Sequence, residues 1–477
     1  MVGWRASLFA VSCLVLGGCG TTTVWYGHTP DRSRRVEVME SGSFQSLRIG
    51  DVEHDRFRAV AVESLVFSDD GRHVAYAALQ QGRWTVAFDG EVTRWFDAIG
   101  DVAMAADGSV VAYAALDERQ WRVVLGDAPG PAFHAILADT LLLTADGRAA
   151  VYVGERHGRV HAVLHRLRQP ADQGPAFEGI RRLTVGSQGR VAYVGRSQRT
   201  SRVVVDGEPQ PAYEGIGELV LGAERYAYAA RRADGWTAVV DGVEGPVFAR
   251  VDDLRIGPND RVAYVATTAD GERQIFADGE LVTRHPSIAR DSLRVDPKGR
   301  LAWVVQQAEG MRMVLDGEPG PPFDAVAPAV FAPVGSRWGY MARQGDQTRV
   351  VIDGEPHGKY RWAADLVFSP DGRRYAYAAH ARAQDYLVHD HGGRAVPKII
   401  VGTVAFDPSS RHVGCVIGDP HTRQFHVTID GVRHAPLDLR ELVAWAAADP
   451  DRFREDTELL RRWVAAELAL ASKGGTR

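Results

Sequence analysis

A short motif returns along most of this chain at a nearly constant spacing. "FSDDGRHVAYAA" occupies residues 67–78, and "FSPDGRRYAYAA" occupies residues 368–379. An aromatic residue, or a residue standing in its place, recurs every 35 to 41 residues. The ten positions are Tyr76, Tyr113, Tyr152, Tyr193, Tyr228, Tyr264, Trp303, Tyr340, Tyr377 and Cys415. Recurrence at this period predicts a repeat architecture in which each unit packs against its neighbours.

Each repeat unit divides into four short β-strands. In the first unit, "LVFS" precedes an Asp-Gly turn, "VAYAA" follows it, and "WTVAFDG" ends at a second Asp-Gly turn before "FDAI". Asp-Gly pairs favour tight hairpins because Gly tolerates a positive φ. Four strands in about 38 residues are typical of a propeller blade. We therefore predict an all-β fold, a β-propeller of four-stranded blades.

The number of rings is open at this stage. Ten units exceed the usual four to eight blades, so the alternatives are one large ring, two tandem propellers, or units that merge. The composition is even along the repeats, which favours one ring. The last unit lacks a good fourth strand, and we expect residues 57–62 to complete it and to close the ring, because sheets avoid bare edges.

The first residues have the pattern of a bacterial lipoprotein signal. Met1–Gly18 contains Arg5 followed by the apolar run Leu8–Leu16, which is too short to span a bilayer. "LGGC" resembles the lipobox, and this resemblance implies cleavage before Cys19 and acylation of Cys19. An ordinary secretory signal with an incidental cysteine is the alternative. Gly20 after the cysteine resembles a sorting signal for the outer membrane.

The remaining boundaries follow from these assignments. We expect a tether over residues 19–35, the propeller over 36–436 and helices over 437–473. The helical stripe near the end consists of Leu460, Trp463, Val464, Glu467 and Leu468. It has two interpretations, a helix that folds back on the propeller and a helix that binds a partner.

Charge and cysteine content exclude several classes of function. Lys and Arg number 56 against 61 Asp and Glu, interspersed along the chain, so no nucleic-acid-binding patch is predicted. Of the three cysteines, Cys13 leaves with the signal and Cys19 would be acylated. Cys415 then has no partner for a disulfide and is interpreted as a small buried hydrophobic residue.

The two quoted motifs resemble the WD-repeat-like propeller repeats of the TolB type. The resemblance extends from about Leu65 to Gly431, with degenerate units in the middle such as "TVGSQGRVAYVG". It implies a β-propeller in the bacterial cell envelope, and it implies no single activity, because propellers serve many functions.

Catalytic and metal-binding patterns are weak in this sequence. No G-x-S-x-G motif is present, so serine hydrolysis is not predicted. The hairpin aspartates are interpreted as turn formers rather than as a catalytic ring: Asp89, Asp206, Asp241, Asp316, Asp353 and Asp430. Trp84, Trp121 and Trp236 are interpreted as packing residues within blades.

Two histidine groups are the candidates for a metal site, and neither is favoured. His389, Asp390 and His391 lie at a predicted hairpin tip, while His161 and His165 lie on a predicted strand. We expect no cofactor, no catalytic residue and no metal ligand, with Cys19 as the site of lipidation.

The resulting functional hypothesis is a lipid-anchored envelope propeller that binds protein partners as an adaptor or assembly scaffold. It would be held at the membrane by its N-terminal lipid, facing the periplasm from the outer membrane. The alternatives are a glycan or small-molecule binder, a hydrolytic enzyme that uses the central channel, and a purely structural lipoprotein. A cluster of inward-facing carboxylates, arginines or histidines at one mouth of the central channel would favour the enzyme or the glycan binder.

Overall fold

The computed structural model describes residues 21–29, 34–144, 146–419, 424–430 and 432–436. Within these ranges the chain forms antiparallel β-sheets, and the one helical element is a short 3-10 turn at Ser187–Gly189. The signal at 1–18, Cys19 and the helices expected over 437–473 lie outside the described residues.

Eleven sheets are formed by the described residues, and eight of them are meanders in which consecutive strands pair. In the other three, the first edge is divided into two short strands that both pair with the next strand. The chain divides into two compact units, Met1–Ile216 and Gly217–Arg477. The first unit contains sheets 1 to 5, and the second contains sheets 6 to 11, of which sheet 6 begins two residues before the boundary. This connectivity is that of propeller blades, as the repeat pattern predicts.

The strands of the first unit are as follows. Sheet 1 contains β1 (Thr22–His28), β2 (Arg35–Ser41), β3 (Phe44–Ile49) and β4 (Val52–Phe57). Sheet 2 contains β5 (Ala59–Phe67), β6 (Val74–Gln80), β7 (Arg83–Phe88) and β8 (Glu91–Val92). Sheet 3 contains β9 (Ala98–Met104), β10 (Val111–Asp117), β11 (Gln120–Leu125) and β12 (Ala128–Pro129). Sheet 4 contains β13 (Ala135–Ile136), β14 (Leu142–Leu143), β15 (Ala149–Arg156), β16 (Arg159–Arg166) and β17 (Asp172–Gln173). Sheet 5 contains β18 (Gly179–Val185), β19 (Val191–Ser197), β20 (Thr200–Val205) and β21 (Glu208–Tyr213).

The second unit begins with three sheets of four strands. Sheet 6 contains β22 (Gly215–Leu221), β23 (Tyr226–Arg232), β24 (Gly235–Val240) and β25 (Val243–Glu244). Sheet 7 contains β26 (Arg250–Ile256), β27 (Val262–Thr267), β28 (Arg273–Ala277) and β29 (Glu280–His285). Sheet 8 contains β30 (Arg294–Val295), β31 (Leu301–Gln307), β32 (Gly310–Leu315) and β33 (Glu318–Pro319).

Three further sheets complete the second unit. Sheet 9 contains β34 (Ala325–Val326), β35 (Val330–Phe331), β36 (Trp338–Gln344), β37 (Gln347–Ile352) and β38 (Glu355–Tyr360). Sheet 10 contains β39 (Trp362–Phe368), β40 (Tyr375–Ala381), β41 (Gln384–His389) and β42 (Gly392–Val396). Sheet 11 contains β43 (Lys398–Ile399), β44 (Ala405–Phe406), β45 (Val413–Asp419), β46 (Gln424–Ile429) and β47 (Val432–Pro436).

The hydrophobic core of each unit lies between consecutive sheets. The recurring aromatic position falls in the middle of the second long strand, and all ten residues at this position are buried. Several of these rings pack against an aromatic side chain that follows the last strand of the preceding sheet, with Phe96 to Tyr113 at 5.7 Å and Phe133 to Tyr152 at 6.4 Å between ring centroids. The residues of the repeat motif therefore form the contact between neighbouring sheets as well as the strands of each sheet.

The start of the chain folds differently from the expectation. The predicted closing strand over residues 57–62 is wrong, because Phe57 ends β4 while Val60 pairs with Ala78 in sheet 2. Local pairing of this kind closes a much shorter loop than pairing with the last repeat, so it carries a smaller entropy cost. Sheet 11 has its own last strand, β47.

The described residues form eleven sheets, one more than the ten repeats counted in the sequence. The additional one is sheet 1, in the N-terminal region. Part of the range 19–35 that was expected to be a tether forms β1, which pairs with β2. Trp25, Val38 and Leu47 of sheet 1 are buried in one cluster with Tyr76 of sheet 2. Burial of these apolar side chains supplies the free energy that orders a segment without the repeat motif.

Candidate functional site

The hairpin aspartates act as turn residues, as predicted. All six that were singled out have φ between 46° and 52°, in the left-handed region. In each, Oδ1 accepts a hydrogen bond of 2.8 to 3.1 Å from the first backbone amide of the second long strand. Asp tolerates this conformation because its carboxylate bonds locally. The recurring aspartate therefore has a structural role in the hairpin.

In five of these six aspartates, all except Asp316, the second carboxylate oxygen pairs with a basic side chain. Arg337 Nε lies 2.8 Å from Asp353 Oδ2, and His73 Nδ1 lies 2.6 Å from Asp89 Oδ2. The same guanidinium also reaches the next sheet, since Arg337 Nη1 donates to the carbonyl of Arg373 at 2.8 Å.

We call the residues that make this contact between sheets the arginine staples. They join each consecutive pair of sheets from sheet 6 to sheet 11 and are Arg225, Arg261, Arg300, Arg337 and Arg374. Arg300 pairs with Asp296 at 2.6 Å in place of the hairpin aspartate. One planar guanidinium with several donors can satisfy acceptors in both sheets at once, which a lysine cannot do with the same geometry.

Between sheets 3 and 4, apolar side chains take the place of an arginine staple. Val110 and Leu167 pack in the cluster between these sheets, and Gly126 occupies the hairpin position where other sheets have aspartate. This contact therefore depends on burial rather than on charge.

The first histidine group does not present a free ligand set. Asp390 Oδ1 lies 3.2 Å from Arg374 Nε, and Asp390 Oδ2 lies 3.2 Å from His391 Nε2. His389 Nδ1 accepts the backbone amide of His391 at 3.2 Å. These groups are engaged with one another and with a staple.

The second histidine group separates along β16. His161 Nδ1 lies 3.0 Å from the carbonyl oxygen of Gly174, while His165 is buried, and burial lowers the pKa of His165 below its ordinary value. Across the described residues, no three His, Cys, Asp or Glu side chains are arranged to hold a metal ion.

The predicted packing residues occupy packing positions. Trp84, Trp121 and Trp236 each form an isolated backbone bridge to the phenylalanine that follows their own sheet. Cys415 is fully buried in β45, and burial raises the pKa of its thiol. The prediction of a small buried hydrophobic residue at Cys415 is confirmed.

Two arginines on the first strands of sheets 7 and 8 depart from the repeat. Arg255 pairs with Ala263, and Arg294 pairs with Ala302, so both lie opposite the residue that precedes the recurring aromatic. In seven other sheets this position holds an uncharged residue: Val66, Ala103, Leu142, Thr184, Val330, Val367 and Ala405. Both arginines are partly exposed, next to the fully buried Leu254 and Leu293.

Among the described residues, only one of the two guanidinium groups forms an ion pair. Arg255 Nη2 lies 2.6 Å from Asp253 Oδ1, and the other oxygen of Asp253 accepts the amide of Leu293 at 3.0 Å. Arg294 Nη1 donates to the backbone carbonyls of Asp291 and Leu293 at 2.9 and 2.8 Å. Burial and the neighbouring Arg255 lower the pKa of Arg294, and burial raises the pKa of Asp253.

Neither arginine is among the residues predicted from the sequence, although a signal is present. "DDLRIGP" and "DSLRVDP", at 252–258 and 291–297, share one pattern. The corresponding stretches elsewhere read "ESLVFSD" and "ADLVFSP", at 63–69 and 364–370. When the repeats are aligned, the arginine stands at a position that holds an uncharged residue in the other repeats compared.

Comparison with known proteins gives similarity in structure alone. No family model matches the chain, and no curated protein matches its sequence. A crystal structure of the eukaryotic initiation factor is 12% identical, with a TM-score of 0.37, and covers 75% of this chain and 95% of that chain.

Two other solved structures are similar over part of the chain. TolB from Acinetobacter baumannii is 13% identical, with a TM-score of 0.26, over 59% of this chain and 76% of that chain. The β-propeller domain of the trilobed protease from Pyrococcus furiosus is 13% identical, with a TM-score of 0.25, over 55% of this chain and 92% of that chain. TolB is thus among the structural neighbours, as the repeat motif predicts.

The described residues contain no helix that is long and apolar enough to cross a membrane.

Proposed function

We propose that this protein is a lipid-anchored scaffold of the bacterial cell envelope, which binds protein partners on a stiff array of propeller-type sheets. The lipid would be carried by Cys19 within the "LGGC" motif. Two acyl chains are enough to hold a protein stably at a membrane surface.

The observation that carries the proposal is the set of arginine staples. Five successive pairs of sheets are joined by guanidinium contacts, in addition to the apolar clusters between them. A surface that is ordered before binding loses less conformational entropy when a partner docks. The hairpins that these sheets present can then differ in sequence without loosening the array.

Exposed apolar side chains on the last strands of sheets 6 and 7 support a role in protein binding. Val243 is 72% exposed, and Leu281 and Val282 are 39% and 41% exposed on β29. Apolar side chains left in water are common at surfaces that contact another protein.

The test is cross-linking in cells of the tagged full-length protein, followed by affinity capture and mass spectrometry. We expect an envelope protein in stoichiometric amount. The Cys19→Ser variant provides the matched control, because it keeps the sheets and removes the anchor. Capture of no protein above the level found with the tag alone would contradict the scaffold function.

A further inference from the structure

Arg294 is a partly buried cation without a carboxylate partner. Within the described part of the chain, no carboxylate oxygen lies within 4.0 Å of its guanidinium, whose Nη1 is held by two backbone carbonyls. Backbone carbonyls carry only partial charge, so they compensate a buried guanidinium less completely than a carboxylate does.

A second cation lies beside the first. Asp253 links the two positions, because its Oδ1 lies 2.6 Å from Arg255 Nη2 and its Oδ2 accepts the amide of Leu293, the residue before Arg294, at 3.0 Å. The charge of Arg255 also contributes to lowering the pKa of Arg294. Asp253 is only 2% exposed and is shared with the amide of Leu293, so it does not reach Arg294 as an ion pair. Of the two guanidinium groups, that of Arg294 therefore has no ion pair of its own within the described ranges, and the charges of Asp253 and Asp291 act on it only without direct contact.

Packing does not explain why these two side chains are charged. The same position in seven other sheets holds valine, alanine, leucine or threonine, and those sheets have the same strand pairing. A valine at Arg294 would satisfy the sheet and remove the charge. Charged side chains at partly exposed positions that an apolar residue could fill are typical of a binding function.

We propose that Arg255 and Arg294 form a binding site for an oxyanion, a carboxylate or phosphate group that bridges the two guanidinium groups. This proposal rests on the scaffold function, and it assigns the oxyanion to an acidic side chain of a bound protein partner. A free phosphate has the same recognition chemistry and is separated from that source by experiment.

The geometry of Arg294 suits this role. With Nη1 fixed by the carbonyls of Asp291 and Leu293, the donors on Nε and Nη2 form the open edge of the guanidinium fork. This edge matches the two oxygens of a carboxylate or phosphate, and the resulting bonds are short and charge-assisted.

The first experiment measures binding to the detergent-solubilised full-length chain by isothermal titration calorimetry. The probes are inorganic phosphate and a tetraglutamate peptide capped at both ends, each titrated at low ionic strength because exposed charges are screened by salt. Saturable binding of the peptide that is tighter than binding of phosphate would support an acidic side chain as the natural ligand. Saturable binding of phosphate alone would support the site with a free anion as its ligand.

Three variants test the residues. We expect Arg294→Gln and Arg255→Gln each to weaken binding at least about tenfold, and Arg294→Lys to weaken it to a smaller extent, since lysine keeps the charge but loses the fork. Arg382→Gln is the matched control, because Arg382 is an exposed arginine in the turn between β40 and β41. Its binding should equal that of the unchanged chain.

Thermal unfolding separates a binding role from a structural one. If the two guanidinium groups repel in the free protein, Arg294→Gln should leave the midpoint unchanged or raise it while binding is lost. A lowered midpoint would indicate that Arg294 holds the sheets together, and this result would overturn the proposal. No saturable binding of either probe would overturn it as well, and so would binding by both glutamine variants as tight as binding by the unchanged chain.

The proposal and the scaffold function fail separately. Partner capture in cells that persists with Arg294→Gln, together with no binding of either probe, would retain the scaffold and reject the oxyanion site. Loss of the captured partner in Arg294→Gln but not in Arg382→Gln would support both.

Discussion

At the scale of single residues, the recurring tyrosine brings a buried hydroxyl group into eight of the ten repeats. Among the described residues, Tyr152 Oη has no hydrogen-bond partner, whereas Tyr377 Oη bonds Tyr360 Oη at 3.0 Å. We therefore expect Tyr152→Phe to be neutral or stabilising and Tyr377→Phe to cost about 1 kcal/mol, because only the second loses a hydrogen bond. Urea denaturation of both variants measures the difference, and an equal loss in both would contradict this interpretation.

A glycine in the last part of each of several sheets makes room for that hydroxyl group. A Cβ on Gly130 would lie 2.6 Å from Tyr152 Oη, closer than van der Waals contact permits. We expect Gly130→Ala to destabilise the protein by about 1–3 kcal/mol, the range for an overpacked core.

Two further variants control this experiment. Gly179→Ala meets no atom within 4 Å and should be neutral or slightly stabilising. Adding Tyr152→Phe to Gly130→Ala should recover part of the loss, since it removes the atom that clashes. Failure of the double variant to recover any stability would place the strain elsewhere.

At the scale of the element, the turn between the first and second long strands is held by a serine or threonine and an aspartate. Ser369 Oγ donates to Asp371 Oδ1 at 2.6 Å, and the amide of Arg373 donates to the same oxygen at 3.1 Å. These hydrogen bonds lower the pKa of Asp371 below its ordinary value of 3.8, and Ser68 has the same effect on Asp70.

The sign of the pH effect follows from that direction. Because the pKa of Asp371 is lower in the folded state, the contribution of Asp371 to stability is fully present above the pKa of the unfolded state. This contribution is lost as the pH falls through the pKa of the folded state. The difference in melting temperature between Ser369→Ala and the unchanged chain should therefore be largest at about pH 7 and shrink at about pH 2. Melting curves over this range measure it, and a constant difference would contradict it.

A second prediction at this scale concerns the arginine staples. Arg337→Ala removes the ion pair with Asp353 and the bond to the carbonyl of Arg373. Because the side chain is 30% exposed, we expect a modest loss of about 1 kcal/mol, with faster amide exchange in sheets 9 and 10. Arg382→Ala should change neither quantity. Exchange that rises uniformly through the chain would argue against a local contact between sheets.

Elements with the repeat motif could be predicted from the sequence because each signal acts locally. Asp-Gly turns at positive φ and alternation around Tyr76 or Tyr377 specify a hairpin without reference to the rest of the chain. The partners of Arg337 or Glu218 lie about 36 residues away in the next sheet. Such contacts depend on how sheets stack, so the staples and the Arg255–Arg294 pair required the structure.

At the scale of the whole molecule, the membrane anchor is the main expectation still to be tested. We expect Cys19→Ser to move the protein from the membrane fraction to the soluble fraction, because an acylated cysteine would be its attachment. Fractionation and the mass of the mature N-terminus measure this. Unchanged membrane association without an acyl mass would contradict the lipoprotein hypothesis.

The number of sheets was the least predictable property at this scale. Sheet 1 has no Asp-Gly turn and no aromatic residue at the recurring position, so no repeat is recognisable in "RVEVMESGSFQSLRIG". Its strands are recognised by burial of Trp25, Val36 and Phe57 against sheet 2. Apolar burial is satisfied by many sequences, and for this reason the motif count gave ten units where eleven sheets form among the described residues.

The arginine staples also bear on how such a chain can change in length. Each repeat from sheet 7 to sheet 10 both offers an acceptor to the sheet before it and supplies a guanidinium to the sheet after it. A copy of one repeat inserted beside its parent would find a matching partner on both sides. Tandem duplication of a single coding segment would therefore lengthen the array without any compensating substitution, and later divergence of one copy, as at Arg255 and Arg294, could add a new property to an unchanged framework.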